Sequence, residues 1–233
     1  MEFSGTFELQ DTTTDEVWTA LSDPHLIWDA LPGCEFIVRV DDDDPDFDAL
    51  REEYIDAEPD LTLDPEVIAG RDFEEGGTYA ALLEVSLGSV SPSFEAVAVV
   101  EERWEYGTVT VGEGSSGNSS FEGTARMELS ETDDGVVVEW EAEADLFGRV
   151  AQMGQRMINP AANRIIKRFF GDIQDTIAEL SAEKAAEEAD DAAAGDDERG
   201  ERTTDDAGDP PRGDRETGGG LLARLKRLFG IGR

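Results

Sequence analysis

The sequence predicts an α+β domain in which a seven-stranded antiparallel sheet wraps around a long C-terminal helix. Three observations carry this expectation. Period-2 alternation of apolar and polar residues recurs in seven separate runs, a 3.6-residue period extends from Val150 to Leu180, and two short helical stretches fall between the first and second runs. Six strands in unbroken order meander, so they are expected to be antiparallel and to cover one face of the helix.

The first run places Phe3, Gly5, Phe7 and Leu9 on one face. Asp15 to Leu21 then sets Val17, Trp18 and Leu21 on one side of a helix, with Thr14 as the candidate cap, and Pro24 opens a second helix that ends at Pro32-Gly33. Cys34 to Val40 is the second strand, and Tyr79 to Leu87 the third, with Thr78, Glu84 and Ser86 on its wet face. Phe94 to Val100, Trp104 to Val111 and Phe121 to Leu129 follow, separated by Gly, Ser and Pro, with a glycine-rich turn expected from Gly112 to Gly123. In the last strand Val136, Val138, Trp140, Ala142, Ala144 and Leu146 alternate with Glu139, Glu141, Glu143 and Asp145, after an Asp133-Asp134-Gly135 hairpin turn. The helix repeats apolar residues at spacings of three and four through Met153, Met157, Ala161, Ile165, Phe169, Ile173 and Ile177, and Pro160 is expected to kink it.

Three segments stand outside this pattern. Residues 41–72 are an acidic insertion; the Asp41 to Asp44 run lacks the spacing of a calcium loop and reads as a solvated surface. Residues 183–220 combine acids, Ala, Gly and Pro at low hydrophobicity, the composition of a disordered linker following a domain at 1–182. Residues 221–233 reverse the charge. There Leu221, Leu222, Leu225, Leu228 and Phe229 share one arc of a helical wheel, opposite Arg224, Lys226 and Arg227. Such a helix is too short to cross a bilayer but fits its surface; a partner's groove or its own domain are the competing docks.

Composition excludes several classes of function. A net charge of -37 opposes nucleic-acid binding, which rests on Lys and Arg neutralising phosphates. With three Lys against a large excess of Asp and Glu, the surface suits a halophile, because densely packed carboxylates stay hydrated in concentrated salt and repel one another when it is dilute. One Cys and one His supply neither a disulfide nor a structural zinc site. Cys34 has no His partner for nucleophilic work and reads as a packed residue, His25 as a surface or capping one. No nucleophile elbow or phosphate loop is present, so no catalytic residue and no metal are expected. Residues 1–10 lack the basic start and apolar run of a signal peptide, so a cytoplasmic protein is expected.

Four motifs narrow the reading: VWTALSDP at Val17 to Pro24, LPGC at Leu31 to Cys34, the turn from Gly88 to Phe94, and AQMGQRMI at Ala151 to Ile158. With the order of elements, they resemble the CoxG family (the G subunit of carbon monoxide dehydrogenase) of the START-like, SRPBCC helix-grip superfamily, over about residues 1–182. The insertion and Pro160 depart from that pattern. The resemblance implies a non-catalytic accessory protein, associated with the inner face of the membrane, that serves a molybdenum hydroxylase such as CO dehydrogenase by carrying a quinone.

The residues themselves are compatible with an apolar-ligand cavity between helix and sheet, lined by Phe94, Trp104, Phe121, Met127 and Trp140 from strands and Met153, Met157 and Ala161 from the helix. The same residues serve equally as a packed core. A docking or assembly factor without ligand is the alternative; a small cyclase or hydrolase would require a carboxylate or His inside the cavity.

Overall fold

The computed structural model describes residues 1–86 and 91–197, with side chains through residue 186. Its elements run β1 (Glu2–Gln10), α1 (Thr14–Ser22), α2 (Pro24–Ala30), β2 (Cys34–Val40), α3 (Phe47–Tyr54), α4 (Pro65–Ile68), β3 (Thr78–Glu84), β4 (Ser93–Trp104), β5 (Gly107–Ser116), β6 (Ser119–Thr132), β7 (Gly135–Gly148), a 3-10 turn at Ala151–Met153 and α5 (Gln155–Asp197). The seven strands form one antiparallel sheet in the order β1-β7-β6-β5-β4-β3-β2. Residues Met1–Asp190 make up the compact unit described here.

Local chemistry sets the element ends. The cap of α1 is Thr13, one residue before the expected Thr14, because only Thr13 stands three positions ahead of Glu16. The Thr13 hydroxyl accepts from Glu16 N–H at 3.2 Å while the Glu16 carboxylate accepts from Thr13 N–H at 2.9 Å, a capping box. Asp23 caps α2 by accepting from His25 N–H at 3.0 Å, with Pro24 in the first helical position. Gly33 then turns the chain with φ +81°, and its carbonyl accepts from Glu84 N–H at 2.7 Å. A Cβ there would lie 2.1 Å from the Glu84 carbonyl oxygen, which explains why the LPGC motif requires glycine.

Two differences from the expected strand boundaries flank β5. Trp104 to Val111 is not one strand: β4 ends at Trp104, and the chain reverses through Glu105 and Tyr106, the latter at φ 62°, before β5 begins. The glycine-rich turn is also narrower, confined to Gly117-Asn118, with Gly112 and Gly114 inside β5 and Gly123 inside β6.

The core has two clusters. Leu9, Val17, Leu21, Leu129, Val138 and Ile173 represent the first, where α1 and α5 meet the sheet; Phe7 stacks on Phe170 at 5.2 Å. The second gathers Trp28, Phe36, Ile37, Tyr79, Leu82 and Val100. The acidic insertion is more than a solvated loop. Asp46 and Asp64 cap α3 and α4, Tyr54 of α3 meets buried Phe36 at 6.0 Å, and Ile68 of α4 enters the first cluster. Its acids face water while its scattered apolar residues extend the core.

At the C-terminal end, α5 continues past 182 to Asp197, so the first part of the expected linker is helical, in keeping with its Ala and Glu content. The rest of that linker, the amphipathic segment 221–233 and residues 88–90 of the Gly88 to Phe94 motif lie outside the described residues. Among the described residues no helix is long and apolar enough to cross a membrane.

Candidate functional site: an apolar cavity with one guanidinium

Strand register explains where the sheet leaves space. Residues that share a face line up across β4, β5, β6 and β7 as Ala96–Gly114–Phe121–Leu146, Ala98–Gly112–Gly123–Ala144, Val100–Thr110–Ala125–Ala142 and, beyond a bulge, Arg103–Thr108–Met127–Trp140. This is the face that carries Leu129 and Val138 into the core with α5. Apart from Val100 and Thr110, its middle rows are Ala and Gly, whose side chains are too small to fill the volume beneath α1, α2 and α5. A cavity of about 460 Å³ results, covered by Trp18, Leu21, Ile27, Leu31, Phe73 and Phe169. From the Thr108 row to the Gly114 row it extends six residues along β5, roughly 20 Å at strand rise.

One end is polar. The Arg103 guanidinium sits 2.9 Å from the Asp72 carboxylate, donates to the Ser22 hydroxyl at 3.3 Å and lies over the Trp18 ring at 5.2 Å. Tyr79 also lines the cavity, but its hydroxyl donates to the Asp72 carbonyl at 3.2 Å and accepts from Glu74 N–H at 2.9 Å; burial holds the phenol above its ordinary pKa. The Thr108 hydroxyl donates to the Glu102 carbonyl at 3.1 Å. The opposite end is hydrocarbon, with Leu83, Ala96 and Phe121, the last edge-on to buried Phe94 at 5.6 Å.

Of the eight residues the sequence offers for the cavity, Phe121 and Met127 line it. Phe94 backs Phe121 without reaching the space. Trp140 shares the Met127 row but packs beneath Gly5 and into the core. Trp104 lies on the other face, because the bulge between Val100 and Glu102 shifts the alternation by one residue; Arg126 covers its ring at 4.5 Å. The α5 side is shifted too. Met153 belongs to the 3-10 turn, Met157 is 46% exposed and Ala161 does not line the cavity, whereas Phe169, two turns further on, does. The same bulge that removes Trp104 delivers Arg103, which alternation alone could not reveal. The Ala96-x-Ala98 and Gly112-x-Gly114 spacings did carry a signal, a strand face without bulk.

The outer face of the sheet has a larger, open hollow of about 750 Å³, walled by Glu113, Glu122, Glu143 and Asp145. Its carboxylates and its openness give an apolar ligand no cover. Among the described residues no group of three His, Cys, Asp or Glu side chains is placed to hold a metal. Cys34 is packed beside the second cluster; burial pushes its thiol up to about 12, and it donates weakly to the Phe36 carbonyl. His25 is half-buried outside the cavity, its Nδ1 accepting from Asp60 N–H at 2.9 Å.

Residues 69–178, from the end of α4 into α5, match the family model of CoxG, the G subunit of carbon monoxide dehydrogenase. That segment is similar to CoxG. The chain is also similar to solved structures. A conserved protein from Geobacillus kaustophilus is 22% identical, with TM-score 0.57 over 77% of this chain and 96% of that one. A START superfamily protein from Mycobacterium smegmatis is 13% identical, with TM-score 0.47 over 77% and 98%. No curated protein sequence matches. With two helices between its first strands and a long helix after its last, the chain has the element order expected of a helix-grip fold.

Proposed function

We propose that this protein is a non-catalytic carrier of an apolar ligand, a quinone, serving a molybdenum hydroxylase such as CO dehydrogenase at the membrane surface. The cavity is the observation that carries this reading: about 460 Å³ of space over a floor of mostly small residues, within the range of small-molecule sites and apolar along most of its length. The match of residues 69–178 to the CoxG model supports the partner enzyme. The ionisable groups at the cavity's polar end, Arg103 and Tyr79, are both held by structural partners, which favours binding over acid–base chemistry. Membrane attachment is assigned to residues 221–233, whose sequence sets Leu221, Leu222, Leu225, Leu228 and Phe229 against Arg224, Lys226 and Arg227.

The test is mass spectrometry of the solvent extract from full-length protein purified out of its own cells at high salt. A quinone present at one per chain is expected. A clean extract from folded protein would replace the carrier with a docking or assembly factor whose cavity is a packing defect.

A further inference from the structure

The cavity differs from end to end, and the difference carries information about its ligand. The Arg103–Thr108–Met127 row ends it on one side and the Ala96–Gly114–Phe121 row on the other, roughly 20 Å apart. A ligand matching this profile has one polar head and an apolar tail.

The head end offers hydrogen-bond donors in a specific state. A guanidinium has five N–H groups. Two are engaged, one at Asp72 and one at Ser22, which leaves donor capacity on Arg103, while the Tyr79 and Thr108 hydroxyls are already donated to main-chain carbonyls. The charge of Arg103 is matched by Asp72 at 2.9 Å, and the Arg103 backbone N–H donates to the Glu75 carboxylate at 3.1 Å, adding a second acid nearby. The polar end therefore donates hydrogen bonds without presenting net positive charge. It suits a neutral carbonyl oxygen better than a carboxylate, whose burial beside Asp72 would bring together two anions for one cation.

Resting on the carrier reading above, we infer that Arg103 is the specificity-determining residue of the cavity, that it binds a carbonyl oxygen of a neutral, carbonyl-bearing apolar ligand, and that the ligand enters head-first with its tail directed along Ala98 and Gly112 towards Phe121. The bond has a fixed direction because the guanidinium is held on three sides, by Asp72, Ser22 and the face of Trp18. Among the cavity-lining cations, Arg126 does not compete for this role; its guanidinium is turned to the other face, to Glu128 at 2.9 Å and over Trp104.

The test uses the full-length protein with three probes followed by tryptophan fluorescence: decylubiquinone, with neutral carbonyls and a ten-carbon tail; dodecanoate, with an anionic head; and N-phenyl-1-naphthylamine, a neutral apolar dye without a carbonyl. Wild type is compared with the double variant Arg103→Leu/Asp72→Ala, which removes the guanidinium donors without stranding a charge, and with Ala98→Phe, which fills the middle of the cavity. Decylubiquinone is expected to bind wild type more tightly than dodecanoate, and to lose about tenfold or more in affinity in the double variant while dye binding holds, since a hydrogen bond to a charged group contributes about one such factor. Ala98→Phe is expected to abolish both. Equal decylubiquinone binding by wild type and double variant would overturn the anchor and leave the carrier standing. Tighter binding of dodecanoate would overturn the neutral-head class. Binding of every probe undiminished by Ala98→Phe would overturn the carrier reading for this cavity, and the anchor with it. Should the double variant not fold, the carbonyl stretch of decylubiquinone bound to wild type decides: a shift to lower wavenumber relative to the probe in hydrocarbon supports the bond, and an unshifted band overturns it.

Discussion

Arg71 donates through Nη2 to the Oδ2 of Asp23 at 2.7 Å, and Asp23 has no solvent exposure at all. The pair ties the end of the acidic insertion to the junction of α1 and α2, where Asp23 also caps α2. Arg71 reaches further, donating to the Asp60 carbonyl at 2.6 Å and lying 3.2 Å from His25 Nδ1. A buried carboxylate held this way is sensitive to loss of its partner. Arg71→Met is expected to destabilise the protein by about 3–5 kcal/mol in urea unfolding, because Asp23 then remains buried and uncompensated. Arg71→Met combined with Asp23→Asn is expected to recover part of that loss, since Asn still caps the helix.

His25 gives this corner a pH dependence. Burial, and then the Arg71 charge, lower its pKa below the ordinary 6.5, and its Nδ1 accepts the Asp60 N–H, which requires the unprotonated ring. Asp23 and Asp60 oppose the shift without reversing it. The unfolded chain therefore takes up the proton first as pH falls. The contribution is complete above about pH 6.5 and declines as pH drops towards the lowered folded value. Between pH 7.5 and 5, wild type is expected to lose more stability than His25→Asn, measured by urea unfolding at fixed salt.

Gly33→Ala tests the LPGC turn. The left-handed φ and the 2.1 Å approach to the Glu84 carbonyl both oppose a side chain. A loss of about 2–4 kcal/mol is expected, read as a lowered thermal midpoint.

Across the outer face, Glu113 pairs in register with Glu122, and Glu122 with Asp145. Like charges directly opposite one another repel, and salt screens the repulsion. Glu122→Gln is expected to stabilise the protein by about 0.5 kcal/mol in dilute buffer and to have no effect in molar salt. A gain that persists at high salt would assign the effect to something other than charge.

Deletion of residues 221–233 is expected to release the protein from anionic vesicles in a flotation assay while leaving the extracted ligand unchanged. Loss of ligand together with membrane binding would make that segment part of the site.

How much of this the sequence disclosed depended on the range of the interaction. Strands β1, β6 and β7 were legible because each alternates without interruption, and acids such as Glu139 and Glu141 mark the wet side. The α1 cap was legible to within one residue, and the Glu16 spacing contained the answer. The cavity face was harder to read. One bulge after Val100 exchanged Trp104 for Arg103, and bulges arise from pairing between strands that a single strand's pattern does not record. The lining expected from Met153 and Met157 failed because periodicity identifies a helix face but not which turn lies over the cavity; that turn is the one with Phe169. The insertion's packing was hidden by its charge, and the Arg71 contacts with Asp23, His25 and Asp60 join segments that alternation treats separately.

The sheet's strand order also bears on how the polypeptide is made. Strand β1 is the first to leave the ribosome, yet its neighbour β7 is the last strand synthesised, with Phe7 matched to Val138. At ordinary elongation rates that partner follows on the order of ten seconds later. Throughout that interval the hydrogen-bonding edge of β1 is open, whereas β3 to β7 can pair one after another as they emerge. The acids and glycine of β1, Glu2, Gly5 and Glu8, make it a poor template for a neighbouring nascent chain, and so guard the translating polysome against aggregation.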